Sequence, residues 1–359
     1  MNGDAIAVYI HIPFCLKKCF YCDFYSIRYE EGRARAFALA LLKEIQSFKN
    51  IKAKTLYLGG GTPSSLPIPL LKEIISTAKE SFSLHPNAEI SLEANPETLD
   101  EEKLGALREL GVNRISIGVQ SFDDELLRFL GRIHNADRAR KAIEMAKEVG
   151  FENINIDLLF AIPGQTIQNW QETLEEALSF KPTHLSCYSL TIEEGTKLFR
   201  EFKAGKISPV DDEISAEMFE LADEILTSNG YIHYEISNYS LPGFECQHNL
   251  SYWRDEPYLG LGPSAVSFLP PYRLRNPSLS DYLKGKEKIL EEIVDEEERE
   301  KERIILALRL REGVEKERLK KEEKVDELIK EGFMEEENGR IRLTLRGMLV
   351  YNSIVADLL

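Results

Sequence analysis

The sequence predicts an α/β fold in which six strand-then-helix units form an open, three-quarter (β/α)6 barrel, with a smaller C-terminal domain built of helices and a β-wing. Three observations predict it. Short β-rich runs alternate with amphipathic stretches through the first half of the chain, and parallel strands need such crossover helices. Six units fall short of the eight that close a complete barrel. The last sixty residues then change pattern, to two helices, a hairpin and a closing helix.

The units follow in order. The first strand is "AIAVYIHI", and "RARAFALALLKEIQSFKN" behind it places Phe37, Leu41, Leu42, Ile45 and Phe48 on one helical face. "KTLYLGGGTP" leads to a helix from near Pro67, "AEISLEANPE" to one from Asp100, and "NRISIGVQSF" to two helical segments between Asp123 and Val149. "NINIDLLFAIPGQT" precedes a helix ending near Phe180, and "THLSCYSLTI" is the sixth strand. "DEISAEMFELADEILTSNG" is a further helix, stopped by Gly230, and an aromatic, turn-rich stretch follows it. From Glu287 to Glu302, twelve of sixteen residues are charged, as expected of a solvated linker or an exposed helix face. "EREKERIILALRLREG" and "KVDELIKEG" read as helices. "FMEEENGRIRLT" reads as a hairpin whose Asn338-Gly339 supplies the φ > 0 pair of a type I′ turn, before a final helix packs Met348, Ile354 and Leu358. Helices followed by a β-wing resemble a winged-helix domain, but the acidic segment before the wing favours a structural or lid role over DNA binding. The expected division is a barrel over 1–200, a barrel extension over 201–285 and a winged-helix-like domain over 286–359.

Composition sets bounds. The chain has 359 residues, 43% of them hydrophobic, enough for a sizeable core. It carries 61 acidic against 45 basic residues, a formal charge of −16, which argues against a broad electrostatic grip on nucleic acid. The longest apolar run, "AFALALL", is too short to span a bilayer, and the first fourteen residues, with only short apolar stretches, are not expected to act as a secretory leader. A cytoplasmic location with reduced thiols is therefore expected.

Three of the five cysteines, Cys15, Cys19 and Cys22, stand at spacing C-x3-C-x2-C, while Cys187 and Cys246 are isolated and far along the chain. A structural zinc site takes four ligands, and the second pair is missing. Three thiolates suit a cubane iron–sulfur cluster whose fourth iron stays open to a small chelating ligand. The C-terminal ends of barrel strands are where such a site belongs. Gathered there are the cysteines after strand one, "GGGTP" after strand two, Glu93 and Asn95 after strand three, Gln120 after strand four and Asp157 on strand five. Gly59 to Gly61 would let a ligand approach main-chain groups without a Cβ in the way. Cys187 is expected in the core, and Cys246 as a small buried side chain.

"CLKKCFYC", "GGGTP", "GVQSF", "LGRIHN" and "NIDLLFAIPGQT" together resemble the radical S-adenosylmethionine (SAM) superfamily, in the branch that holds the oxygen-independent coproporphyrinogen III oxidases and the HemW-type haem chaperones. The resemblance spans nearly the whole chain. It implies a [4Fe-4S] cluster on Cys15, Cys19 and Cys22. Its open iron would chelate SAM, and one electron from an external donor would allow cleavage to a 5′-deoxyadenosyl radical. By motif match it implies SAM contacts at Tyr9, Tyr21, Gly60, Gly61, Thr62, Glu93, Gln120, Arg132 and Asp157.

Within that branch the residues lean towards the chaperones. The oxidases carry a further cysteine two positions after the third, where this chain has Phe24, and a long segment before the first, where this chain has fourteen residues. "CQHNLSYW" contains the H-N-x-x-Y-W pattern associated with haem binding in the chaperones. The resemblance thus implies His248 as a haem ligand, supported by Asn249, Tyr252 and Trp253, with haem as cargo and haem-accepting apoproteins as partners. The alternative it leaves is radical decarboxylation of coproporphyrinogen propionates. A radical SAM enzyme acting on another substrate is the third possibility.

Overall fold

In the computed structural model, which describes residues 5–49 and 51–358, one twelve-stranded sheet organises the chain as far as Ile293. Its centre is the expected parallel series of β1 (Ile6–Ile12), β2 (Ile51–Gly60), β3 (Phe82–Ala94), β4 (Arg114–Gln120), β5 (Asn153–Phe160) and β6 (His184–Ser189). These pair in chain order. The crossovers are α1 (Glu31–Ser47), α2 (Ile68–Ser81), α3 (Glu101–Glu109), α4 (Asp124–Leu130), α5 (Ala136–Glu148) and α6 (Ile167–Ser179). Side-chain caps fix several helix starts, with Asp100, Asp123, Asn135 and Thr166 each accepting a first-turn backbone N–H.

After α7 (Lys197–Lys203) and α8 (Asp212–Ser228), the hairpin of β7 (Ile232–Glu235) and β8 (Asn238–Ser240) adds to the β6 edge in antiparallel fashion. Next come α9 (Gln247–Trp253), β9 (Tyr258–Leu261), β10 (Val266–Leu269), β11 (Tyr272–Arg275), α10 (Leu279–Tyr282) and β12 (Ile289–Ile293). The strand order is β12-β11-β10-β9-β1-β2-β3-β4-β5-β6-β8-β7, an open sheet whose two ends do not pair among the described residues.

Six parallel strands were expected and seven are present. β9 runs parallel to β1, with Ala7 opposite Tyr258 and Ile10 opposite Leu261. Its sequence "YLGL" is too short to show a period, and its glycine argues locally against a strand. The glycine has a packing cause, because a Cβ on Gly260 would lie 2.1 Å from the Val266 carbonyl oxygen of the antiparallel neighbour. The charged stretch from Glu287 is likewise no simple linker. It begins with β12, whose Glu291 and Glu292 pair with Arg275 and Arg273 of β11, and whose Ile289, Leu290 and Ile293 stay exposed.

The outward face of the parallel strands is apolar. Val8, Ile10 and Ile12 of β1 share one core with Phe37, Leu41 and Ile45 of α1, and the same core continues through Leu56, Leu92, Ile117 and Ile156 of the next strands. The opposite face is polar and lines the barrel interior.

The C-terminal unit contains α11 (Glu296–Ala307), β13 (Val314–Glu315), α12 (Glu322–Lys330), β14 (Met334–Glu337), β15 (Arg340–Leu343), α13 (Leu345–Leu349) and α14 (Tyr351–Leu358). The wing has three strands in the order β13-β15-β14, and Asn338 (φ 53) and Gly339 (φ 75) form its tight turn as the pair was expected to. Two helices are shorter than the sequence suggested. α11 stops at Ala307, because Leu310 is drawn into a bridge with Glu235 and Arg309 pairs with the same glutamate. The closing helix is broken at Val350, although Met348, Ile354 and Leu358 are all buried.

Two glycines give opposite expectations. Gly260→Ala meets backbone that has no room to give, and should lower stability by about 1–3 kcal/mol. Gly105→Ala, inside α3 with open space around it, should raise it by about 0.5–1 kcal/mol. Urea midpoints of the two variants check both signs.

Candidate functional site

The cysteine loop leaves the C-terminal end of β1 and is tied down along its length. Residues 14–15 pair in parallel with residues 27–28, the Phe20 N–H donates to the Leu130 carbonyl, and the Leu198 N–H donates to the Phe20 carbonyl. Gly131, the left-handed C-cap of α4, is a glycine for this loop's sake, since a Cβ there would lie 2.7 Å from the Phe20 ring. All three loop cysteines are free thiols. The Thr62 hydroxyl donates to Cys15 Sγ at 3.5 Å and Arg132 Nη1 donates to Cys19 Sγ at 3.4 Å. Burial pushes the Cys15 thiol up, and the Cys22 thiol up to about 11. Among the described residues no three ligating side chains already converge at metal-ligand distances. The donor set nevertheless fits a three-thiolate cluster: three sulfurs on one anchored loop, with a guanidinium and a hydroxyl directed at two of them.

The rim residues expected from sequence come together around this loop. Glu93 accepts from the Tyr57 hydroxyl at 2.9 Å and from the Gly60 N–H at 3.0 Å. Arg132 donates to the Asn95 side chain and to the Gly118 carbonyl, and Asn95 donates to Thr62 Oγ1 at 3.0 Å. Gln120 takes a left-handed φ of 72 at the bulged end of β4, a strained conformation of the kind that clusters at functional rims. Tyr21 packs on Leu126, Leu130 and Ile162 beside Arg132. The glycines are already needed by the chain itself: a Cβ on Gly60 (φ 109) would strike the His11 ring and one on Gly61 the Phe14 backbone. Motif "LGRIHN" thus combines three tasks, with Gly131 ending α4, Arg132 at the rim and Asn135 capping α5.

Below the rim the interior is a connected polar lumen. Asp157 accepts from Ser116 at 3.0 Å and from Asn155 at 2.8 Å, Asn155 also donates to Ser186 Oγ, and His184 Nδ1 lies 2.6 Å from Asn155 Oδ1. Arg114 is 2% exposed, and its Nε has no partner among the described residues. Sequence reasoning passed over Arg114, Ser116, Asn155, His184 and Ser186. Period-two polarity in "RISIG", "NINID" and "HLSCYS" was the available signal.

The opposite mouth is stoppered by α9, which carries the HNLSYW segment. Glu89 of β3 caps this helix from a distance, accepting from the backbone N–H of Gln247 at 2.9 Å and of His248 at 3.1 Å. Cys246 is fully buried next to that carboxylate, and Cys187 is buried on β6 as expected. His248 is 1% exposed. Its Nδ1 lies 2.8 Å from Thr55 Oγ1, its Nε2 lies 2.9 Å from the Tyr252 hydroxyl, and its ring stacks on Tyr57 at 4.8 Å. Both ring nitrogens are therefore engaged in this arrangement. Tyr252 and Trp253 instead reach the outer surface of the stopper, where they line a cavity of about 410 Å³ with Tyr258 and Phe268.

Two buried groups give opposite pH signatures. Burial, aided by the Asp157 carboxylate, raises Glu93 from 4.5 to about 7 despite the Tyr57 hydrogen bond; its contribution to stability is present below pH 4.5 and lost as pH rises through 7. Burial lowers His248 from 6.5 to about 3, so its contribution is present above pH 6.5 and lost as pH falls towards 3. Glu93→Gln should therefore gain stability relative to the native protein between pH 4.5 and 7.5, as read from urea midpoints at the two values.

Comparison with known proteins agrees with this geometry. The profile of the Radical SAM superfamily matches residues 9–177, and that of the HemN C-terminal domain matches residues 294–350. The "Heme chaperone HemW" of Lactococcus lactis subsp. lactis is 36% identical over 362 residues, 97% of this chain and 96% of that protein. The protein of the same name from Bacillus subtilis is 34% identical and covers 97% of both chains. Coproporphyrinogen III oxidase (HemN) from Escherichia coli superposes with a TM-score of 0.85 at 23% identity over 98% of this chain and 89% of that one, a likeness of fold. Among the described residues no helix is long and apolar enough to cross a membrane. With the anchored cysteine loop, the rim it faces and full-length relatives in agreement, the chain belongs to the radical SAM superfamily and, within it, to the family of the HemW haem chaperones.

Proposed function

We propose that this protein holds a [4Fe-4S] cluster on Cys15, Cys19 and Cys22, binds SAM at the barrel rim and takes up haem for delivery to acceptor apoproteins. The observation that carries the haem part is the placement of Tyr252 and Trp253 in the wall of the aromatic cavity. With Tyr258, Phe268, Ile305 and Leu306 they offer flat apolar surface in a volume typical of small-molecule sites. The full-length relatives bear the name heme chaperone, which supports the same reading.

A bound cluster supplies an iron with an open position and a one-electron reservoir. The chain's own residues prepare for it. Thr62 and Arg132 direct hydrogen-bond donors at two of the sulfurs, the kind of contact that orients metal ligands. Arg132, which donates to Asn95 and the Gly118 carbonyl, would turn its fork to the carboxylate of SAM, and Glu93 and Asp157 would accept from its hydroxyls or face its cationic sulfonium. Tyr9, Tyr21, Gly60, Gly61, Thr62 and Gln120 complete the SAM contacts of this proposal.

His248 needs a qualified role. To ligate haem iron, its Nε2 would have to give up the Tyr252 hydroxyl and α9 would have to withdraw from the barrel mouth. In the arrangement described, His248 fixes Tyr252 from behind, and Asn249 stands in the same turn of the helix.

The test is an anaerobic haem titration of the cluster-reconstituted protein followed by visible absorption. Saturable one-to-one binding is expected, weakened about tenfold or more in Tyr252→Leu and Trp253→Ala. Cys15→Ser should lose the cluster band. His248→Ala should weaken haem without changing its spectrum, whereas a changed spectrum would make His248 the axial ligand after rearrangement. No saturable binding, together with decarboxylated porphyrinogen accumulating when SAM and a reductant are supplied, would replace the chaperone with the oxidase.

A further inference from the structure

A second cavity of about 410 Å³ lies between α9 and the C-terminal unit. Arg254, Arg303, Arg318 and Arg340 line it against only two carboxylates, Glu312 and Glu315, in a chain whose net charge is −16. Glu312 and Glu315 in its wall and Asp255, Glu296 and Glu300 at its margin hold these arginines in place. Arg254 pairs with Glu312 at 2.6 Å, Arg318 with Glu300 at 2.7 Å, and Arg303 with Asp255 at 3.0 Å and Glu296 at 2.7 Å. Arg340 pairs with Glu315. Arg254 and Glu312 are 41% and 58% exposed, and pairs so exposed contribute little, so an incoming anion can replace one partner at small cost.

A further observation points to a missing acceptor. The indole N–H of Trp253, which also lines this cavity, is buried without a partner among the described residues. So is Nε of Arg309, whose guanidinium sits 4.3 Å over the Trp253 ring. Arg309 lies behind the indole and does not line the cavity; buried donors are normally satisfied, and the unsatisfied Trp253 N–H in a wall of guanidinium forks describes a place for carboxylate oxygens. The same Trp253 walls the aromatic cavity, so an apolar and a cationic compartment meet at one indole.

We propose that this arginine-lined cavity is an anion subsite that receives the carboxylates of a tetrapyrrole. The inference rests on the haem reading above. Haem is a flat apolar ring with its two carboxylates on one edge, and the two compartments at Trp253 divide in the same way. Glu312 and Glu315 within the wall disfavour a dianionic phosphate more than singly charged carboxylates, which is why the carboxylate is the chosen ligand.

The experiment compares haem with haem dimethyl ester, whose carboxylates are blocked, on the native protein and on Arg254→Gln/Arg318→Gln. The native protein should bind haem about tenfold or more tightly than the ester, and the double variant should lose most of that preference while binding the ester as before. Unchanged ester binding also shows that the variant is folded. Should it fail to fold, Arg254→Gln alone, an exposed side chain with a single ion-pair partner, should lose part of the preference. Equal affinity of the native protein for haem and ester overturns the subsite, as does a preference that survives in the variant. If the native protein binds neither, the haem reading itself falls.

Discussion

Each strand of the parallel sheet has two faces with incompatible demands, and the rest of the structure follows from keeping them apart. The outer faces of β1 to β5 are aliphatic and close against the crossover helices in one core. The inner faces carry Glu89, Glu93, Asp157 and Arg114, and such groups survive out of water only when hydrogen-bonded or paired. A closed eight-stranded barrel would fill its centre with branched aliphatic side chains. This open sheet keeps a polar centre and shuts it from both ends instead, with the cysteine loop above and α9 below.

The stopper shows how much depends on one carboxylate. α9 has only seven residues and an N-cap, Cys246, with no side-chain capping bond, so little in its own sequence makes it a stable helix. Glu89 supplies the missing acceptors from another part of the fold. Once the helix start is fixed there, His248 falls against Tyr57 and Thr55, Tyr252 is held by His248, and the aromatic cavity acquires its wall.

Strand-helix alternation, the cysteine triad, Glu93 at the rim and the wing turn were legible because each is written locally. Spacing sets the sulfurs on one loop, and Asn338-Gly339 needs only its own φ values. β9 was not legible, because four residues with a glycine carry no period and their partner is 251 positions away. The length of α11 failed for a related reason: "RIILALRLRE" has helical propensity throughout, but Glu235 takes Leu310 and Arg309 for a tertiary contact. The position of His248 was hidden too. The motif identifies its neighbours, but only the fold reveals that its ring points into the barrel rather than towards the aromatic cavity.

An open sheet leaves something that a closed barrel does not: a last strand with one row of amides and carbonyls that finds no neighbour among the described residues. On the β12 side that strand also exposes Ile289, Leu290 and Ile293, the makings of unwanted strand-to-strand association between molecules. The chain limits this with brevity and charge. β12 has five residues, flanked by Lys286, Glu287 and Lys288 before it and Asp295 after it, with Glu291 and Glu292 in its middle. The concentration of charge from Glu287 onward therefore guards an edge that the architecture could not remove.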